Sequence, residues 1–219
     1  AHPAQLQTVT FDAMGVTLAQ KMNDGKFVAS SLREDELFTF YRADGVRDTL
    51  STGKAPYPFR FQGIDDTSLK VKKRIFEYRL KYNGHNDKFV VCYCLNNLFE
   101  IYNSDGSLHK RIIAPYPYLV DTNHLSADKL GVPIDELIFT FKDCCLTDDR
   151  IFLLYNGSSP TGMIGAQSKI YVFDYEGNPI KYYLLDRYAH SFCIDKQGGV
   201  IYALSDENDQ KQVVRYSML

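Results

Sequence analysis

Histidines and carboxylates are the side chains that could perform acid–base or metal chemistry, and they are scattered along the chain. Its five histidines include no pair at the His-x-x-x-His spacing of a helical zinc site. Asp143, Asp148 and Asp149 lie close together, but the alternating oxygen ligands and bidentate glutamate of a calcium loop are missing. Gly-rich phosphate loops and the Gly-x-Ser-x-Gly elbow are also absent from the sequence. We therefore expect neither a bound metal nor a cofactor.

Cysteine chemistry is the next possibility, because five cysteines occur. They fall within predicted strands, where Cys92 and Cys94 share one face and the adjacent Cys144 and Cys145 point to opposite faces. A zinc site would need paired Cys-x-x-Cys motifs on turns. Small, buried, unreactive thiols are the favoured interpretation, and it extends to Cys193. A disulfide and a metal site are the alternatives.

Glu77 and His190 are the best candidates for an acid–base pair. Both are predicted near the start of a strand that would lie innermost in its sheet, and Thr140 occupies the same position in another sheet. Side chains at these positions can converge on a central channel. An enzyme would use Glu77 as a general base and His190 as an acid or metal ligand. The favoured alternative is a polar, water-filled channel mouth.

Short β-prone runs separated by turn-forming residues cover most of the chain and would position these side chains. Phe40–Gly45, Ile101–Gly106 and Val172–Gly177 are versions of one unit that ends in an acidic residue and a glycine. Ala55–Pro58 and Ala114–Pro117 repeat as well. Repetition of a β-rich unit along a chain is typical of propellers.

The sequence predicts an all-β fold, a β-propeller of four-stranded antiparallel blades with about four blades in this chain. The predicted blades are residues 16–55, 76–115, 137–186 and 189–219. The last blade is one strand short, and Leu6–Phe11 is predicted to complete it, which would remove the open edge. The chain would then be a single propeller domain or the C-terminal portion of one. A β-sandwich is the alternative fold.

Several local predictions accompany this fold. In the second blade, strands are predicted at Lys88–Tyr93, Leu98–Asn103 and Leu108–Ile113. Val46–Leu50 is predicted as the fourth strand of the first blade. The basic run Lys70–Arg74 is interpreted as a solvated approach to a strand rather than a nucleic-acid contact. Asp128–Glu136 has room for a single helical turn before Pro133.

The strand and turn residues also carry a family resemblance. They are Ile170–Pro179, Ser191–Asp195 with Val200–Leu204, and Phe99–Tyr102 followed by Asp105 and Gly106. In these segments the chain resembles the TolB-like six-bladed propeller family of bacterial envelope proteins. The resemblance implies a six-bladed ring with about two N-terminal blades outside this chain, and a four-bladed ring is the alternative. It also implies an extracytoplasmic, secreted or lipid-anchored protein, and it transfers no catalytic residues.

Connection lengths distinguish the two faces of the predicted propeller. All turns on one face, the tight-turn face, are short. The other face, the long-loop face, carries Pro56–Ile75, Pro115–Glu136 and Asn156–Ser168. Connections longer than about 12 residues are usually functional or disordered, and binding residues concentrate on loops held by a rigid scaffold. We therefore expect any small molecule, glycan or protein partner to bind the long-loop face.

Aromatic and basic residues cluster in two of these long connections. Tyr57, Arg60 and Phe61 lie in the first, and Tyr116 repeats part of the pattern in the second. Such a group can form a stacking platform for a sugar or peptide, and loop packing onto the blade edges is the favoured alternative. The predicted binding residues are Tyr57, Arg60, Phe61, Glu77, Tyr116 and His190.

Composition narrows the function classes. The formal charge of −2 gives no general attraction to nucleic acid. No apolar run reaches the roughly 20 residues of a membrane-spanning helix, so no transmembrane segment is expected in this chain. The predicted function is a non-enzymatic ligand- or protein-binding propeller of the bacterial cell envelope. The alternative is a propeller hydrolase or lyase with a site at the axial channel.

Overall fold

Four antiparallel sheets make up the structure, a computed structural model. It describes residues 8–13, 15–31, 35–49, 57–58, 69–113, 137–159, 167–195, 197, 199–207 and 210–218. The first sheet contains β1 (Val16–Lys21), β2 (Phe27–Ser31) and β3 (Thr39–Tyr41). The second contains β4 (Tyr78–Asn83), β5 (Lys88–Tyr93), β6 (Leu98–Asn103) and β7 (Leu108–Ile113). Helix α1 (Leu69–Ile75) precedes β4.

The remaining two sheets follow the same up-and-down order. The third contains β8 (Phe139–Leu146), β9 (Ile151–Ser158), β10 (Lys169–Phe173) and β11 (Pro179–Leu184). The fourth contains β12 (Ser191–Ile194), β13 (Val200–Glu207) and β14 (Gln210–Ser217). In all four sheets each strand pairs with its neighbour in sequence, so residues that pair across strands are close together in the chain.

Successive sheets pack face to face and meet at their first strands. Strand β4 contacts both β1 and β8, and β8 contacts β12. Three hydrophobic clusters fill the three spaces between sheets, with Phe89, Phe99 and Phe152 as large members of the first, second and third cluster. Burying a side chain of this size contributes about 1.5–3 kcal/mol. The second and third sheets are therefore buried on both faces, which confirms the propeller prediction and rules out a two-layer sandwich.

The repeated acidic–glycine unit forms the same turn in three sheets. In each, the glycine N–H donates to the carbonyl oxygen three residues earlier, at 2.9 Å for Gly45 and Gly106 and at 3.1 Å for Gly177. The three φ angles are 85°, 88° and 79°, in the left-handed region that glycine adopts without a Cβ clash. An added Cβ at Gly177 would also lie 2.9 Å from Cδ1 of Ile112. The turns are thus equivalent parts of one repeated unit.

On the tight-turn face, hydrogen bonds join each of the first two sheets to the next. The Asn23 side chain donates to the carbonyl oxygen of Gly84 at 2.6 Å, and the Asn86 side chain donates to that of Asp148 at 2.9 Å. Each bond joins the first turn of one sheet to the first turn of the next. These two bonds tie neighbouring sheets together at their first turns, although Asn86 Oδ1 is buried without a partner among the described residues.

A buried carboxylate network holds the centre of the second sheet. Glu100 is fully buried, and its Oε2 accepts hydrogen bonds from the hydroxyls of Tyr93 and Tyr102 at 2.6 and 2.7 Å. Its Oε1 accepts from Nε and Nη2 of Arg111 at 2.6 and 2.5 Å. Burial, together with the nearby Glu100 charge, raises the pKa of both tyrosines. All the oxygen atoms of this network are therefore paired, as a buried charge requires.

The first sheet differs from its prediction at both ends. Val46–Leu50 does not form a fourth strand in its described part, where a single bridge joins Arg47 to Tyr41. Leu6 lies outside the described residues, and Phe11 is not in a strand of the last sheet. The Phe11 ring instead packs edge-on against Phe27 and Tyr41, with centroids 5.4 and 5.0 Å away. These contacts leave Phe11 half-buried on the first sheet, so the prediction that this segment completes the last blade is wrong for Thr8–Phe11.

The basic run Lys70–Arg74 lies in helix α1, so the predicted strand approach is wrong. Val71 and Ile75 are four residues apart, and both are buried in the first cluster, which is the pattern of a helix face. On the other side, Lys73 donates to the carbonyl oxygen of Glu36 at 2.5 Å. Lys73 therefore fastens the helix to the segment just before β3. The possible turn at Asp128–Glu136 lies outside the described residues.

The cysteines mostly follow the prediction for buried thiols. Cys92, Cys94 and Cys144 are buried, Cys145 is half-buried and Cys193 is exposed, and all five are free. Cys193 differs because it points away from the third cluster, on the face of the fourth sheet that packs against no other described sheet. Within the described part of the chain, no helix is long and apolar enough to cross a membrane.

Candidate functional site

Strand β4 presents charged side chains at the inner edge of the second sheet. Tyr78 and Leu80 belong to the first hydrophobic cluster, so Arg79 and Lys81 must point the other way, toward the third sheet. Arg79 lies opposite Cys92 in the β4–β5 ladder, and Cys92 belongs to the second cluster. Both charged side chains are half-buried. They therefore lie between the first strands of the second and third sheets.

A β-bulge in β8 turns two more charged residues toward the same place. Phe141 pairs with Tyr155 and Asp143 pairs with Leu154, so Lys142 is an extra residue on β8. The bulge lets Phe141 and Cys144, three residues apart, both enter the second cluster. Lys142 and Asp143 are left half-buried at the inner edge. Bulges of this kind re-aim side chains and are common beside functional sites.

Asp143 is held by backbone donors from two sheets. Its carboxylate accepts hydrogen bonds from the N–H of Phe192, on β12, at 3.3 Å and from its neighbour Cys144 at 2.9 Å. Burial raises the pKa of Asp143, although these two bonds and the positive charges of Lys81 and Arg79 oppose the rise. Asp143 therefore accepts a proton more readily than an exposed aspartate, while its charge interacts with those of Lys81 and Arg79.

Among the described residues, cations outnumber carboxylates at this inner edge. Arg79 Nη1 lies 3.6 Å from Oε1 of Glu77, but Glu77 is also ion-paired with Arg74. Lys142 lies over the Phe139 ring, 5.1 Å from its centroid. Lys81 forms no ion pair with any described residue. We call Glu77, Arg79, Lys81, Lys142 and Asp143 the inner-strand cluster.

The predicted acid–base residues have different bonding partners. His190 Nε2 is 2.7 Å from Oδ2 of Asp206, and Lys211 is 2.7 Å from the other carboxylate oxygen. Glu77 has its arginine partners instead, and among the described contacts no hydrogen bond or ion pair joins it to His190. Thr140 is fully buried and donates from Oγ1 to backbone carbonyl oxygens, so it does not line a channel.

Tyr57 is the one described member of the aromatic and basic group. Its ring stacks on Phe76 with centroids 4.9 Å apart, and Lys73 lies 5.7 Å from its centroid. The hydroxyl is buried without a hydrogen-bond partner in the described part of the chain, and burial raises its pKa. Phe76 directly precedes Glu77, so Tyr57 and Glu77 occupy the same corner of the second sheet. Arg60, Phe61 and Tyr116 lie outside the described residues, and binding by any of the six residues stays a prediction.

Sequence reasoning missed the other members of the inner-strand cluster. The alternation of Arg79 and Lys81 between buried residues was visible, and on an innermost strand it marks a charged axial surface. The approach of Lys142 and Asp143 had no such signal, because a bulge cannot be read from alternation alone. Asp143 was weighed only as a calcium ligand, and the described residues contain no cluster that could hold a metal ion.

Comparison with known proteins gives one family match and several distant structural neighbours. A family model described as TolB-like 6-blade propeller-like matches residues 4–197. A putative 6-phosphogluconolactonase from Bacteroides uniformis is 14% identical with a TM-score of 0.49, over 94% of this chain and 53% of that one. The WD40 domain of Toxoplasma gondii coronin is 12% identical with a TM-score of 0.45, over 93% of this chain and 46% of that one.

Saccharomyces cerevisiae Sqt1 is similar at 11% identity and a TM-score of 0.43, over 85% of this chain and 43% of that one. This chain therefore spans about half the length of the solved structures it resembles. No curated protein matches the sequence.

Proposed function

Because this chain belongs to the TolB-like 6-blade propeller-like family, we propose that it is a non-enzymatic binding propeller of the bacterial cell envelope. The observation that carries the binding role is the inner-strand cluster. Half-buried charges without full compensation reduce the stability of a fold, and such departures from good packing are concentrated at functional sites. The envelope location, secreted or lipid-anchored, rests on the family.

The accessible part of the molecule supports the same role. On the tight-turn face, hydrogen bonds join neighbouring sheets, such as that from Asn23 to Gly84. The inner-strand cluster begins at Glu77, at the opposite end of β4, where the chain enters from the long-loop face. A small molecule, glycan or protein segment would approach from that face and reach the cluster between β4 and β8.

The arrangement favours binding over catalysis. A general base needs a free carboxylate within hydrogen-bond reach of a proton donor, whereas Glu77 is ion-paired with Arg74 and Arg79. His190 is bonded to Asp206. The two residues of the enzymatic alternative thus have separate partners: Glu77 is ion-paired with arginines, and His190 is hydrogen-bonded to Asp206.

A binding screen tests this proposal. Purified protein is heated with members of a library of sugars, sugar acids, peptides and small envelope metabolites, and unfolding is followed by fluorescence. A ligand at 100 times its Kd stabilises the folded state by about 2.7 kcal/mol, which is readily detected. We expect at least one ligand class to bind without being consumed. Turnover of a bound compound, or no binder among all classes, would contradict the proposal.

Cell fractionation tests the location separately. The full natural gene, with an epitope tag at its C-terminus, is expressed in a bacterial host, and cytoplasm, periplasm and membranes are assayed with the tag antibody. We expect the protein in the periplasmic or membrane fraction. Recovery with cytoplasmic markers alone would refute the envelope assignment and leave the binding role untouched.

A further inference from the structure

Resting on the binding function above, we propose that the inner-strand cluster binds a small hydroxylated anion, a sugar acid or sugar phosphate. Arg79 and Lys81 would hold its carboxylate or phosphate, and Asp143 would accept a hydrogen bond from a hydroxyl group.

The first argument is the excess of positive charge among the described residues of the cluster, where Arg79, Lys81 and Lys142 face two carboxylates. Lys81 is half-buried and has no ion pair among the described residues. Among the described residues, Arg79 is ion-paired with Glu77, which it shares with Arg74, and the Asp143 charge acts on it as well. Lys142 contributes a third cation, which lies over the Phe139 ring. A bound anion would supply a further counter-charge at this site. The site is locally positive even though the formal net charge of the whole chain is −2.

The second argument is that strand geometry brings the charged side chains of the cluster close together. Alternation on β4 places Arg79 and Lys81 on the side facing the third sheet, and the extra residue in β8 brings Lys142 and Asp143 to that edge. Strands β4 and β8 are in contact. Arg79 and Lys142 both act electrostatically on the buried Cys94 thiol, and Lys81 and Asp143 both act on Cys145. The charged groups therefore share one small region rather than separate surfaces.

The third argument concerns which anion fits. A guanidinium offers two parallel N–H donors that match a carboxylate or phosphate, and a nearby lysine adds charge. Asp143 is fixed by the N–H groups of Phe192 and Cys144, which leaves its remaining acceptor capacity for a ligand donor. A ligand with an anionic group and a hydroxyl satisfies both halves of the cluster. A neutral sugar would leave the cations uncompensated.

Calorimetric titration with defined probes tests the proposal. The probes are glucuronate for the carboxylate, glucose 6-phosphate for the phosphate, neutral glucose, and inorganic phosphate as an anion without hydroxyl-bearing carbons. We expect glucuronate or glucose 6-phosphate to bind at least tenfold more tightly than glucose and inorganic phosphate, with affinity falling as ionic strength rises. The two sugar anions decide between carboxylate and phosphate.

Charge-removing variants locate the site. Arg79→Gln and Lys81→Gln each lose a charge-assisted bond, so we expect affinity for the bound sugar anion to fall at least tenfold. Lys110→Gln is the matched control, because Lys110 is exposed on the outer strand of the same sheet, and it should change affinity less than twofold. Lys81 forms no ion pair with the described residues, so Lys81→Gln should fold even if Arg79→Gln does not.

The outcomes separate this inference from the function on which it rests. Equal loss of affinity in Lys110→Gln, or unchanged affinity in Lys81→Gln, would overturn the inner-strand site. Binding of a neutral glycan or a peptide in the screen, with no sugar-anion binding, would overturn the inference while the binding function stands. Absence of any binder overturns both.

Discussion

The Glu100 network gives the sharpest test of how this fold is held together. Replacing Glu100 with glutamine keeps the size of the side chain but removes its charge and turns one acceptor into a donor. The amide can then serve Arg111 or the two tyrosine hydroxyls, but not all of them. No cavity is created, so the effect isolates the polar interactions.

The expected loss follows from the contacts. Hydrogen bonds to a charged group contribute about 1.5–3 kcal/mol each, and Glu100 accepts four. Breaking a buried pair by removing one partner costs about 3–5 kcal/mol. Arg111 is 31% exposed and recovers part of its solvation, so we expect a loss of about 3–4 kcal/mol. With a urea slope of about 2–3 kcal/mol per molar, the unfolding midpoint should fall by more than about 1 M.

Urea unfolding followed by circular dichroism measures this change. Glu176→Gln is the matched control, because Glu176 is 68% exposed and paired with His109 at 3.1 Å. A surface pair of that kind contributes about 0–1 kcal/mol. A Glu100→Gln protein within 1 kcal/mol of wild type, or one no less stable than Glu176→Gln, would refute the view that this network stabilises the second sheet.

Three further changes test other parts of the structure. Burial raises the pKa of Asp143 in the folded protein, so its ionisation lowers the stability of the fold as pH rises through that folded pKa. Asp143→Asn should therefore raise Tm at neutral pH, and this gain should disappear in acid. A lower Tm of the variant at neutral pH would count against this reasoning. Burial also raises the pKa of Tyr93 and Tyr102, so stability should be lost above about pH 10, where unfolded tyrosines ionise; an alkaline Tm profile that stays flat would contradict this. Gly177→Ala should cost about 1–3 kcal/mol from its backbone angle, and more than Gly25→Ala, which has a similar φ but no atom closer than 4.0 Å to the new Cβ; equal losses in thermal unfolding would show that the Ile112 contact yields freely.

The strands of the second sheet show how far local pattern reaches. Lys88–Tyr93, Leu98–Asn103 and Leu108–Ile113 were predicted with the bounds that the structure has. Each run is rich in β-branched or aromatic residues and ends at a turn signal, so propensity and context agree. The Lys70–Arg74 run lacked that agreement. Its charges predict a solvent-exposed segment, whereas the run forms a helix because Val71 and Ile75 pack into the first hydrophobic cluster.

The candidate site was predictable only in part. Glu77 was identified from its place before an inner strand, and it does belong to the inner-strand cluster. Its proposed partner His190 bonds to Asp206 instead, and Thr140 is buried among backbone carbonyls. These partners come from other strands, and distances between strands depend on how whole sheets pack. No spacing along one strand contains that information.

By itself, the sequence determined the repeated strand-and-turn unit, because turn chemistry and strand propensity act over a few neighbouring residues. It also determined that the last sheet has three strands of its own. Only the tertiary structure decided that Phe11 packs on the first sheet and that the β8 bulge turns Asp143 toward Arg79 and Lys81. Those outcomes depend on packing between segments distant in sequence, where burial of apolar area outweighs local preference.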